Sequence, residues 1–238
     1  MSENFKEIDI EGLETLSVIE KANQFNQWMY HSISADCKGR ILEIGSGIGN
    51  ISKFFIHDRK EIVLSDIRDN YCEILKRKFD NPVLKIDLVH KDFDQHYIDL
   101  FGTFDTVFAL NVVEHIEADI QAISNCKKLL KNGGTLIILV PAYQSLYNNL
   151  DRQLEHFRRY NKKSLKAIIS ANNMHIKKLF SFNAIGIIGW FVSGKIQKNN
   201  TIPEGQMGFF NLLVPIFKIA DFLLFRKIGL SVICVSNK

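Results

Sequence analysis

Residues 40–50 read RILEIGSGIGN, and their order decides how the rest of the chain is read. Ile41, Leu42 and Ile44 make a short apolar run of the kind that forms a buried strand, and Gly45, Gly47 and Gly49 free the next turn from Cβ clashes with an approaching ligand. A helix is expected from Ile48 to Ile56, its free amides directed at electronegative ligand atoms. A dinucleotide turn would place glycines at 45, 47 and 50. Asn50 breaks that pattern, so the spacing favours a different nucleotide.

The segment EIGSGIGN resembles motif I of the class I S-adenosylmethionine-dependent methyltransferases. In that family an acid two residues before the first glycine faces the methionine ammonium, which is the place of Glu43. The resemblance implies that Gly45, Ser46, Gly47, Gly49 and Asn50 border the cofactor. Further landmarks follow in the same order. The run EIVLSD, 61–66, ends in an acid about twenty residues beyond Gly45, the spacing of a ribose-binding carboxylate, so Asp66 with Ile67 beside it is the hydroxyl-binding candidate. Asp66 would equally serve as N-cap of a helix over 70–79.

A third strand is read at VLKIDL, 83–88, where similar enzymes hold the adenine. There Asp87 could accept from the exocyclic amine and Leu88 pack on the ring, with an ordinary strand-end acid as the alternative. A fourth strand, 102–110, runs into NVVEHIEAD, and both resemble the family's segment after its central strand. Asn111 then sits at the crevice mouth, where its carbonyl and side chain can bind the methionine amine. Glu114 and His115 share that rim, either for proton transfer or to compensate a helix dipole. The Asn-Pro-Pro-aromatic box and Pro-Cys nucleophile of base-modifying relatives are both missing here.

A helix over 116–131, stopped by Asn132-Gly133-Gly134, and a fifth strand over 135–140 continue the alternation of strand and helix. Alternation through five strands implies right-handed crossovers and a doubly wound, mostly parallel sheet with its ligand crevice at the strands' carboxyl ends. The resemblance extends this to a seven-stranded Rossmann-like α/β fold closed by a reversed hairpin, from strands near 175–182 and 230–235. The expected organisation is one methyltransferase domain over 1–238, with a helix over 17–36 covering the cofactor and a helical cap insertion over 184–228.

The segment 142–164, AYQSLYNNLDRQLEHFRRYNKKS, is too long for a plain connection and reads as the acceptor-binding loop. It resembles a subset of these methyltransferases that act on polar, sometimes carrier-linked, small molecules. His156 is the general-base candidate, since an imidazole titrates near neutrality. Arg158 and Arg159 would hold an anionic acceptor, with His115, Tyr143, Tyr147, Arg152 and Tyr160 around it. The competing reading is that the histidine and arginines satisfy loop carbonyls and buried acids.

Four cysteines far apart, with no CxxC pair, argue against zinc or a disulfide framework and fit a reducing cytoplasm; the displacement chemistry calls for no metal. The N-terminus lacks a signal-peptide pattern, and no charge-free run of spanning length is read. Residues 1–150 carry 16 basic and 22 acidic side chains, against 14 and 4 in 151–238, so the C-terminal part should meet something anionic, an anionic or lipid-carrier-linked acceptor being the expected partner. The apolar stretch 208–227, broken by Pro215, suits an amphipathic cap helix, with peripheral membrane contact or a dimer interface as alternatives. The rival functions are a nicotinamide-dependent oxidoreductase, disfavoured by Asn50, and a noncatalytic or RNA-binding module, disfavoured by the lack of any base-reading motif.

Overall fold

The computed structural model describes residues 10–197 and 203–238. The polar stretch expected to end the 184–200 insertion, and most of the N-terminal segment read for targeting, lie outside the described residues. Chain order is α1 (Ile10–Glu20), α2 (Asn23–Ile33), β1 (Ile41–Ile44), α3 (Ser52–His57), β2 (Ile62–Asp66), α4 (Asp69–Lys78) and β3 (Val83–Lys85). There follow α5 (Phe93–His96), β4 (Phe104–Leu110), α6 (Asp119–Leu129), β5 (Leu130–Pro141), α7 (Asn149–Gln153) and α8 (Lys162–Ala171). The chain closes with β6 (His175–Phe182), α9 (Gly186–Phe191), α10 (Glu204–Leu223) and β7 (Ser231–Asn237).

One seven-stranded sheet runs β3-β2-β1-β4-β5-β7-β6, parallel except for β7, which lies antiparallel between β5 and β6. The strands read as continuous apolar runs because both faces are covered, the mark of a buried parallel sheet. Side chains alternate between two cores. Leu42, Val107 and Leu136 face one, with Ile123 and Leu165 of the helices; Ile41, Phe108 and Ile137 face the other, with Trp28, Phe55 and Phe217. The fold class expected from the sequence is the one observed, including the reversed hairpin of β6 and β7.

Several boundaries differ for local reasons. The single helix over 17–36 is two: Ala22 N–H and Asn26 Nδ2 both donate to the Ile19 carbonyl, ending α1 before α2 begins. The helix after the glycine turn starts at Ser52, not Ile48, because the turn itself takes up the preceding residues. Only Val83–Lys85 pairs as β3, so Asp87 and Leu88 lie just beyond the strand. Val113–His115 winds a separate 3-10 turn, which delays α6 to Asp119, and α6 ends at Leu129 ahead of Asn-Gly-Gly, which forms an irregularity within β5.

The segment 184–228 divides into two parts with different neighbours. After α9 a π-helical turn, Val192–Ile196, lies against the 142–164 segment: Lys195 Nζ donates to the Ser145 carbonyl at 2.7 Å, and the Arg159 guanidinium stacks 4.5 Å from the Trp190 ring centroid. In contrast, α10 braces the α2 face of the sheet. Asn211 Oδ1 accepts from Phe25 N–H at 3.0 Å, and the Asp221 carboxylate accepts from Asn183 and Ala184 N–H, both at 2.7 Å. Where no span was read from the sequence, the 19 residues Gly205–Leu223 are long and apolar enough to cross a membrane by length and composition.

Candidate functional site

The strand order reverses between β1 and β4, and the glycine turn sits at that switch point, where a doubly wound sheet opens its crevice. Gly45 has φ +69°, and a Cβ there would lie 2.4 Å from Val112 Cγ2 on the segment after β4. Gly47 has φ +55°, and its Cβ would meet Leu16 Cδ1 at 2.9 Å. The turn is therefore wedged between α1 and the β4 exit, and side chains are excluded from it by both conformation and space. Asn50 Nδ2 donates to the Leu16 carbonyl at 2.9 Å, which ties α1 over the turn. Ser46 Oγ accepts from Ser65 N–H at 3.1 Å, so both side chains hold the loop itself.

Glu43, within β1, is buried and accepts a hydrogen bond from Ser52 Oγ. Burial pushes its carboxyl up to about 7, with Asp66 adding to the rise and the Ser52 and Ser46 hydroxyls opposing it. Asp66 closes β2: Oδ2 accepts from Gly47 N–H and Oδ1 from Arg68 N–H, each at 3.0 Å, while burial raises its pKa. Position 68, not Asp66, is the N-cap of α4, so the capping alternative fails. Half-buried Ile67 follows on the same edge. Asp87 accepts from Val89 N–H at 2.9 Å, while its own N–H donates to Tyr97 Oη at 3.0 Å. Leu88 is buried in the core that contains Ile86 and Phe93. Asn111 is exposed with φ +54°, its N–H donating to the Leu139 carbonyl at 2.9 Å, an unusual conformation of the sort that gathers at functional sites.

The second half of the site is built around Asp151, which the sequence reading passed over. Asn148 and Asp151 cap the start of α7 reciprocally, the Asn148 N–H donating to Asp151 Oδ2 at 3.0 Å. Oδ1 accepts from Arg159 Nε at 2.7 Å and faces His156 Nδ1 at 2.8 Å. Burial pushes the Asp151 carboxyl up, but His156 and the Arg159 guanidinium outweigh it and leave the pKa below its ordinary value. Arg159 also donates to the Ala142 carbonyl at 3.0 Å.

This arrangement corrects several acceptor assignments. Arg159 and Tyr160 are buried, and Tyr160 Oη donates to Asp119 Oδ2 at 2.9 Å. Arg158 donates to the same Asp119 oxygen at 2.7 Å and to the Glu117 carbonyl at 2.8 Å. His156 is only 8% exposed, and burial lowers its pKa against the pull of Asp151. A buried guanidinium or phenol requires a partner, and the two aspartates supply them. Tyr147 Oη donates to the His156 carbonyl at 2.6 Å, Arg152 Nη1 to Asn149 Oδ1 at 2.7 Å, and half-buried Tyr143, with φ +62°, packs against the core.

His115, by contrast, is exposed, yet protein crowds its ring, and this crowding, with His156 and Arg68 nearby, holds its pKa well below the usual imidazole value. Its ring stands edge-on to His156, centroids 4.6 Å apart. Behind both lies Glu114, 0% exposed, neither carboxylate oxygen hydrogen-bonded and its pKa pushed up by burial to about 8. A charged carboxyl so placed is costly, which the reading of Glu114 as a helix-dipole partner does not explain. Arg68, also unforeseen, reaches toward Glu155 Oε2 at 3.8 Å and links the end of β2 to the acceptor segment.

Residues 42–136 match the family model described as a methyltransferase domain. A highly reducing polyketide synthase of Phaeosphaeria nodorum is 30% identical over 119 residues, 44% of this chain and 4% of that protein. A ubiquinone biosynthesis O-methyltransferase of Xanthomonas campestris is 23% identical over 99 residues, 42% of this chain and 41% of that one. The chain thus matches only a small part of the first and under half of the second. In fold, the crystal structure of an S-adenosylmethionine-dependent methyltransferase from Archaeoglobus fulgidus superposes with a TM-score of 0.58 at 18% identity, covering 90% of this chain and 94% of that one.

Proposed function

We propose, for a chain whose residues 42–136 belong to the methyltransferase-domain family and whose fold is that of the class I S-adenosylmethionine-dependent enzymes, that it methylates an oxygen or nitrogen of a polar, anionic small-molecule or carrier-linked acceptor. The observation that carries this reading is the glycine turn at the switch point, flanked by the buried carboxylates Glu43 and Asp66. The fit to the cofactor is chemical: the glycine turn exposes backbone without Cβ atoms at the switch point, and a buried carboxylate without a cationic partner suits an ammonium. Glu43 would face the methionine amine, Asp66 the ribose hydroxyls, and Asn111 the methionine end. Methyl transfer is an in-line displacement at a sulfonium carbon, so the protein's main work is to align donor and acceptor. The acceptor would enter between the β4 and β5 exits and the 142–164 segment, with His115 as the exposed polar group there. The relative named for O-methylation supports oxygen as the accepting atom.

The test is calorimetry with S-adenosylhomocysteine. Binding is expected for the native chain, lost in Gly47→Arg, whose side chain would collide with Leu16, and weakened about tenfold to a hundredfold in Asp66→Ala. Binding of NADH in place of S-adenosylhomocysteine would overturn the assignment.

Glu43 adds a pH signature. Its carboxyl is raised to about 7 in the folded chain, and a bound ammonium favours the charged form. Below pH 7 binding must expel a proton, so affinity should rise with pH up to about 7 and level off above it. Calorimetry in buffers of different ionisation enthalpy would register the released proton at pH 6, and Glu43→Gln should flatten the profile. A slope unaltered by Glu43→Gln would remove Glu43 from this role.

We further propose that the enzyme is cytoplasmic and works at a membrane surface, and the exposed face of α10 supports the membrane contact. Phe209, Leu212, Ile216, Ile219 and Leu223 share one helical stripe, all exposed, beside Phe222, Phe225, Arg226 and Lys227. The opposite face is fixed to α2 and, through Asp221, to the backbone after β6, so the helix would lie in the interface plane, not cross it.

A further inference from the structure

Glu114, His115 and His156 present one ligand atom each within 4.8 Å of one another. His156 Nε2 and Glu114 Oε1 are 4.0 Å apart, and neither Glu114 oxygen has a hydrogen-bond donor although the residue is fully buried. On the far side of the His156 ring, Asp151 Oδ1 holds Nδ1 at 2.8 Å. A carboxylate there fixes the Nδ1–H tautomer and turns the Nε2 lone pair toward Glu114. Two imidazoles and a carboxylate, converging with their acceptor atoms inward and no donor between them, leave a place for a cation.

We propose that Glu114, His115 and His156 bind a first-row divalent metal ion of the zinc type, with Asp151 as the positioning carboxylate behind His156. Two nitrogens and one oxygen are the donor set of catalytic zinc sites that keep a coordination position open. In a tetrahedral site with bonds of about 2.0–2.1 Å, ligand atoms stand roughly 3.3 Å apart, so the present separations need closing by about an ångström. The side chain of His115 is exposed, so an open coordination position beside it is accessible from outside. The sequence suggested no metal because the usual cues are cysteines or a compact HxxH spacing, whereas here adjacent Glu114 and His115 meet a histidine about forty residues on, a pairing made only by the fold.

The role of the site rests on the methyltransferase reading above. An acceptor hydroxyl bound at the open position would lose its proton to solvent more readily. Its oxygen would then form the bond to the methyl carbon as the carbon–sulfur bond breaks and the electron pair passes to sulfur, giving S-adenosylhomocysteine.

The experiment titrates the chelator-treated 238-residue chain with Zn²⁺, and with Co²⁺ as a spectroscopic probe, while S-adenosylhomocysteine binding is measured on the same samples. One equivalent of metal should bind, with visible Co²⁺ absorption of low-symmetry coordination. His115→Gln, an exposed position that should not disturb folding, and the near-isosteric Glu114→Gln should each weaken binding at least a hundredfold. His96→Ala should change nothing, although His96 and His90 form another close imidazole pair, ring centroids 4.9 Å apart. Absence of stoichiometric binding, or binding that survives both His115→Gln and Glu114→Gln, would overturn the proposal. S-adenosylhomocysteine binding without metal binding would sink the metal site alone. Its loss in the native chain would instead sink the methyltransferase reading.

Discussion

Asp151→Ala should lower the stability of the chain by about 3–5 kcal/mol, because breaking a buried ion pair from one side leaves the other charge uncompensated. The stranded groups are Arg159, whose Nε donates to Asp151 at 2.7 Å from a side chain 1% exposed, and His156, whose Nδ1 faces it at 2.8 Å. The Asn148 N–H would lose its acceptor as well, removing one half of the reciprocal cap of α7 while Asn148 Oδ1 still accepts from Leu150 N–H. For a chain of this size the loss corresponds to a fall in melting temperature of roughly 6–20 °C by calorimetry. Asp151→Asn preserves shape and hydrogen bonding but not charge. If the guanidinium is the main cost, Asn should recover less than half of the deficit; full recovery would show that hydrogen bonding, not charge, dominates. The double variant Asp151→Leu with Arg159→Met should be less destabilised than Asp151→Ala, since replacing both partners with apolar groups leaves no orphaned charge.

The same network marks the boundary of what the sequence could tell. The sheet, its switch point and the edge where the parallel strands end were legible because each rests on local signals: an apolar run, a glycine turn, an acid at a strand end. Asp66 and Asn111 fall on that edge because parallel strands must end together there. The 142–164 segment was visible as a dense patch of chemistry, but not how its groups are shared. Arg158, Arg159 and Tyr160 were read as acceptor ligands because their types suit anions, and their pairing with Asp119 and Asp151 is a tertiary fact with little local trace. The Asn148–Asp151 spacing was the one available clue, since it matches a reciprocal helix cap and commits the acid to the interior. Glu114 gave less still: its neighbours in sequence do not reveal that both oxygens are sealed from water without a donor.

Vesicles with anionic headgroups should bind the native chain at low ionic strength and release most of it at high salt, whereas neutral vesicles should bind weakly. The apolar part of this expectation comes from α10, where Phe222 is 77% exposed and Phe225, just after the helix, 80% exposed. Monomeric proteins rarely display so many large apolar side chains on one surface without a use for them. Phe225 and Arg226 are also held at φ +50° and +51°, a conformation that bulky residues adopt only under constraint. The electrostatic part comes from Arg226 and Lys227 beside the stripe, each worth about 1 kcal/mol near an anionic surface and screened within a Debye length. Burying an exposed Ile or Phe in the interface contributes about 1.5–3 kcal/mol, so Ile216→Ser with Phe222→Ser should reduce partitioning at least a hundredfold. Because both side chains are exposed, the melting temperature should stay within a degree or two of the native value. Lys227→Glu should instead steepen the loss at low salt and matter little at high salt. If the native chain ignores all vesicles but sediments as a dimer that Ile216→Ser with Phe222→Ser dissociates, the stripe is an interface between copies of this chain and the membrane reading falls.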